Sequence, residues 1–207
     1  MKNFNVVLVI GVFVGFPLFL WAVGDFPART WLKEGVSLLT LFAFFMMTGQ
    51  FFFSRISRKE LNLPEMKTIN RLHKIFGYLF IGVLLLHPFM IILPRFFEAG
   101  IEPLDALATL LTTYDSTGVL LGISAWLLML VIGITSFFRE MLPMSYANWR
   151  LLHGILSILF IVVASWHAID LGRHTNTAMI FFIIAVSGMG ILLLLRTYLV
   201  QQQKNIS

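Results

Sequence analysis

Four of the five histidines in this chain stand in a repeated pattern. His73 and His87 lie 14 residues apart in one apolar run, and His153 and His167 lie 14 apart in another. On an α-helix, 14 residues make close to four turns and a rise of about 21 Å, so each pair presents its imidazoles on one face at two depths. Imidazole is a ligand for zinc, copper and haem iron. Two histidines at one level leave a zinc or copper site incomplete, and no carboxylate or thiol lies on these faces to finish it. Haem iron needs only one imidazole on each face, because the porphyrin supplies the other nitrogens. The pattern therefore predicts two haem b sites, His73 with His153 and His87 with His167. A single intramembrane histidine can equally be a hydrogen-bonded packing residue, but coincidence does not readily match the spacing on two helices.

The elements that would position these residues follow from composition. The chain has 207 residues, 58% hydrophobic and only 12% charged, with a mean hydropathy of +0.89. Soluble domains carry about 25% charged residues, so much of this surface must face something other than water. Apolar runs at roughly 6–23, 38–53, 76–93, 118–138, 152–169 and 178–200 are each fenced by charge, proline or glycine. Since a bilayer span needs about 20 apolar residues, the expectation is an all-α, six-helix polytopic membrane protein. The second and third helices should begin earlier, near Trp31 and Thr68, and Pro103–Thr112 should form a short surface helix. No loop is long enough for a soluble catalytic domain, and no G-x-G-x-x-G follows a strand-like run. The absence of cysteine excludes disulfides, thiolate-held clusters and covalently attached haem.

Lys and Arg counts set the orientation. With the N-terminus inside, eleven fall on the cytoplasmic side and four (Arg29, Lys33, Arg95 and Arg173) outside, so both termini are expected in the cytoplasm. The third and fifth helices then run in the same direction, placing His73 level with His153 near the inner face and His87 level with His167 near the outer. The net charge of +5 is accounted for by orientation, and no nucleic-acid partner is expected.

Around the histidines, Phe80 and Phe160 each follow the inner histidine by seven residues and would lie midway between the levels, as gap fillers or ordinary packing. Arg71, Lys74 and Arg150 flank the inner histidines, where they could pair with haem propionates, although orientation alone would also put them there. Gly77, Gly82 and Gly154 could admit a flat macrocycle or close helix packing. Pro88 removes a helix hydrogen bond beside His87, frees the Leu84 carbonyl and should kink the helix. Arg95, Arg173 and His174 would stand on the acceptor side. The basic stretch 55–74 could dock an acidic flavoprotein or simply record orientation.

The segment Asn70-Arg71-Leu72-His73-Lys74-Ile75-Phe76-Gly77-Tyr78 with His87, the run Thr135-Ser136-Phe137-Phe138-Arg139, and Tyr146-Ala147-Asn148-Trp149-Arg150-Leu151-Leu152-His153 with His167 together resemble the ferric reductase-like transmembrane domain shared by ferric reductases and the membrane half of NADPH oxidases. The resemblance implies one such domain over 1–207, two haems held by the third and fifth helices, and one-electron transfer across the membrane. Only Gln201–Ser207 follows the sixth helix, so no flavin or nicotinamide domain is expected. That standalone form is similar to the haem-binding subunit of periplasmic methionine sulfoxide reductase. The donor would then be a separate cytoplasmic flavoprotein or a quinol. The acceptor would be extracytoplasmic: ferric iron, oxygen or a partner reductase protein. The expected location is a bacterial inner (plasma) membrane. A quinol-oxidising cytochrome b subunit and a non-enzymatic haem-binding assembly factor or sensor are the rival readings.

Overall fold

The computed structural model describes residues 11–27, 29–53, 66–113 and 115–206. These residues form helices and connecting turns, with no strand among them. A π-helical turn at Gly11–Gly15 runs into α1 (Phe16–Ala22). There follow α2 (Trp31–Phe53), α3 (Met66–Ala99), α4 (Pro103–Thr112), α5 (Thr117–Phe137), α6 (Tyr146–Leu171) and α7 (Thr177–Ile206). Backbone groups in hydrocarbon must be satisfied within their own segment, which is why the apolar runs become helices.

Five helices among the described residues, α2, α3, α5, α6 and α7, are long and apolar enough to cross a bilayer. The first of the six expected runs shows only its portion Gly11–Ala22, an apolar stretch shorter than a span. Its residues 6–10 lie outside the described residues, as do residues 55–65 of the basic stretch. The short helix expected at Pro103–Thr112 has those bounds.

Helix starts are set by polar caps. Ser116 Oγ accepts from the Val119 amide at the head of α5 (3.3 Å), and Ser145 Oγ accepts from the Asn148 amide at the head of α6 (3.2 Å). Asn176 Oδ1 does the same for Met179 at the head of α7 (2.9 Å). The Ser145 cap explains why α6 begins six residues before its apolar run: Tyr146 to Leu151 form a polar-to-apolar first turn and a half.

α5 packs along α6 and against α3, while α2 packs along α3 and α7, and α6 along α7. Between them Phe45, Ile161, Met179 and Ile183 are almost wholly inaccessible. Outward faces carry large exposed apolar side chains such as Phe137, Phe181 and Leu192, a surface suited to lipid rather than water. α3 and α6, the two histidine helices, are not among the closely packed helix pairs. One rim is tied by two carboxylates. Glu34 on α2 accepts from Trp21 Nε1 on α1 (2.7 Å) and from His174 Nε2 in the α6–α7 turn (2.9 Å). Glu98 at the end of α3 pairs with Lys33 and accepts from the Thr30 hydroxyl.

Candidate functional site

The histidines meet in two pairs across the gap between α3 and α6. The ring centres of His73 and His153 are 6.4 Å apart with planes at 74°. Those of His87 and His167 are 6.5 Å apart with planes at 75°. Early positions pair with early and late with late, so the two helices run in the same direction. The rise between levels is about 21 Å. One metal atom bonded to both imidazoles, at about 2.0–2.1 Å per bond and about 1.1 Å from each nitrogen to its ring centre, would need ring centres about 6.3 Å apart. Both pairs match that span. The donors come in twos: no group of three or more His, Asp or Glu that could hold a metal ion lies among the described residues. Two imidazoles on opposite sides suit a centre that brings its own equatorial ligands, as haem does.

α5 supports both rings of α6. His167 Nδ1 lies 2.8 Å from the Gly118 carbonyl oxygen, and the same ring rests on Gly122. A Cβ at Gly122 would come within 2.6 Å of His167 Cε1 and 2.7 Å of Nδ1. At the other level Ser136 Oγ lies 3.3 Å from His153 Nδ1. Trp149 stacks on the His153 ring (5.2 Å, 29°) and donates from Nε1 to the Thr135 carbonyl (3.0 Å). Tyr146 stacks on Trp149 in turn (5.8 Å), and the Arg139 guanidinium lies over both rings at 4.6 and 5.4 Å. On α3, His87 Nδ1 is buried without a hydrogen-bond partner among the described residues. Ser136, Trp149 and Arg139 fall inside the stretches that carried the family resemblance, although the sequence assigned them no role; Gly118 and Gly122 carried no signal at all.

The other candidate residues take these places. Phe80 and Phe160 are buried in the core, and Phe80 meets Phe42 of α2 edge-on at 5.3 Å. Arg71 and Lys74 are exposed on the first turns of α3, while Arg150 is half-buried one turn before His153. The Arg150 carbonyl accepts from the Tyr198 hydroxyl of α7 (2.7 Å). Arg95 is exposed at the far end of α3. Arg173 is exposed and lines an open groove with Pro27, Arg29, Thr30 and Lys33. His174 is 5% exposed, held by Glu34 between the rings of Trp21 and Phe26. A Cβ at Gly154 would collide with Tyr198, so its close approach is to α7, whereas nothing stands within 4 Å of such an atom at Gly77 or Gly82. α3 continues unbroken through Pro88. The carbonyl there that gains an outside donor is that of Leu85, from Trp126 Nε1 at 3.0 Å, one residue beyond the expected Leu84.

A family model described as "ferric reductase like transmembrane component" matches residues 35–164. The chain belongs to the ferric reductase-like transmembrane family. Its match spans α2 to most of α6, takes in His73, His87 and His153, and stops three residues before His167. This ferric reductase-like protein is also similar to an uncharacterized protein of Archaeoglobus fulgidus, 38% identical over 160 residues that cover 77% of this chain and 87% of the relative. No solved structure matches it. Membership, together with the apolar helices, makes it an integral membrane protein and suggests electron transfer in the membrane.

Proposed function

We propose that this chain carries electrons across the membrane on two haem b groups, one held by His73 and His153 and the other by His87 and His167. The observation that carries this reading is the repetition of one ring-pair geometry at two depths, 6.4 and 6.5 Å between centres, in a ferric reductase-like chain. When bound, each haem supplies a one-electron carrier inside a medium that excludes charge.

The chain's own residues then act as holders and guides. The four imidazoles would hold the two groups between α3 and α6, which are not among the closely packed helix pairs. Arg71 and Arg150, beside the inner histidines, would pair with the propionates of a haem held at that level. Phe80 and Phe160 keep the space between levels apolar and free of water. With both termini on the cytoplasmic side, the His73/His153 level faces a separate flavoprotein or a quinol. The His87/His167 level faces an acceptor outside, either ferric iron, oxygen or a partner reductase, with Arg95 and Arg173 on that side of a plasma (inner) membrane. Outward movement of an electron from a negative-inside cell is favoured by about 2.3 kcal/mol per 100 mV, so this direction needs no added coupling.

The test is a reduced-minus-oxidised spectrum with haem quantification on the purified chain. Two haems per chain are expected, falling to one in His73→Ala and to one in His87→Ala. A preparation from haem-replete cells with no Soret band would refute the proposal. Sensitivity of haem reduction to quinone-site antagonists separates a quinol donor from a flavoprotein.

A further inference from the structure

Both rings contributed by α6 lean on α5, and the two contacts differ in kind. At His167 the partner is a backbone carbonyl, 2.8 Å from Nδ1. A carbonyl oxygen can only accept, so Nδ1 must carry the hydrogen, and in the neutral imidazole Nε2 then keeps its lone pair, the form that ligates through Nε2. The ring reaches that carbonyl along the strip of α5 between Gly118 and Gly122, one helical turn apart, and a Cβ at Gly122 would stand 2.7 Å from the same Nδ1. At His153 the partner is the Ser136 hydroxyl at 3.3 Å, which can donate or accept and is therefore the weaker director. There the stacked Trp149 ring, itself anchored on Thr135, holds the plane.

We infer that α5 is the positioning element for both α6 imidazoles, setting the Nδ1–H tautomer of His167 through the Gly118 carbonyl over the bare Cα of Gly122, and orienting His153 through Ser136. Its consequence for a bound iron rests on the haem reading, but the tautomer assignment stands without any bound group. A partner that accepts from the far nitrogen strengthens an imidazole as a donor, so at the level shared by His87 and His167 the firmer ligand comes from α6. His87, whose Nδ1 is buried without a hydrogen-bond partner among the described residues, has no such tether.

The experiment uses the full chain in lipid nanodiscs with 15N-labelled histidine, read by solid-state NMR, alongside EPR and potentiometry of the haem-loaded protein. His167 is expected to show protonated Nδ1 and bare Nε2. Gly122→Ala should mix or shift the His167 tautomer and move the outer-level EPR signal while the inner one stays. Gly133→Ala, where a Cβ meets only Ile81 Cγ2 at 3.5 Å, is the same change on the same helix and should leave both signals in place. Ser136→Ala should shift the inner-level EPR signal and midpoint potential alone, with Ser136→Thr restoring them. If Gly122→Ala does not assemble, the Ser136 pair decides: unchanged inner signals in Ser136→Ala overturn the inference. Protonated Nε2 at His167 in the unaltered chain overturns it too. The expected tautomer in a chain that takes up no haem would sustain this inference while removing the haem reading; two haems with the wrong tautomer would do the reverse.

Discussion

The two histidine levels have nearly the same ring geometry and quite different surroundings. At the level of His73 and His153 the α6 ring is held by side chains: the Ser136 hydroxyl, the Trp149 face and, behind it, Tyr146 and Arg139. At the level of His87 and His167 the α6 ring is held by backbone, the Gly118 carbonyl and the uncovered Cα of Gly122. The His153 environment can thus be altered by many single substitutions, each partial in effect. The His167 environment offers no acceptor side chain to remove and is vulnerable at Gly122. A similar imidazole pair is thus built once from chemistry that varies with sequence and once from chemistry every residue possesses.

The largest effect that tests this contrast comes from the ligands themselves. Replacing both His73 and His153 by Ala should cost no more haem than either alone, one of two, whereas His153→Ala with His167→Ala should leave none. Haem-to-protein ratios read this directly, and a double variant at one level that loses both haems would break the independence of the levels. Next comes Trp149→Ala. Loss of an aromatic stack worth about 0.5–1.5 kcal/mol should speed haem release from the inner level by roughly 2- to 10-fold, with outer-level release unchanged in a competition assay. Gly154→Ala should act on helix packing instead. It forces Tyr198 off the Arg150 carbonyl, a hydrogen bond worth about 1 kcal/mol, so the melting temperature falls while the oxidised spectrum keeps its shape.

The smallest effect lies at the tied rim. Burial holds the His174 imidazole below its ordinary value; Glu34 pulls it back up and Arg29 pushes it further down. The unfolded chain takes up that proton near pH of about 6.5, the folded one only at lower pH, so below that value the unfolded state binds more protons and stability falls with acidification. Thermal melts between neutral and mildly acidic pH should show this slope, and it should flatten in His174→Gln.

Much of the architecture was legible because membrane helices are set by apolar runs, and Pro103–Thr112 stands out as a short apolar insert. The Ser116 and Ser145 caps were not read, and α6 accordingly begins six residues before its expected run. The ring pairs were legible from spacing alone. The supports were less so. Ser136, Trp149 and Arg139 lie within the stretches that carried the resemblance, but their contacts join the end of α5 and the turn after it to α6 across 7 to 17 residues. Gly118 acts through its carbonyl, which leaves no mark in a sequence, and Gly122 looks like any small residue at a helix contact. Arg173 and His174 read as a pair but part company: one faces an open groove, while the other turns inward to Glu34, a partner at the far end of the chain that adjacency could not reveal.

The 14-residue interval has a consequence for the path of the helices. His73, Phe80 and His87 fall every seventh residue, as do His153, Phe160 and His167, and a heptad lags a straight helix by about 20°. Straight rods meeting at one level would be out of phase by about 40° at the next, yet the ring pairs meet at 6.4 and 6.5 Å. That difference of about 40° is closed by a left-handed winding of α3 about α6, by the side-chain torsions of the imidazoles, or by both, so that the second station is turned from the first like successive treads of a spiral stair.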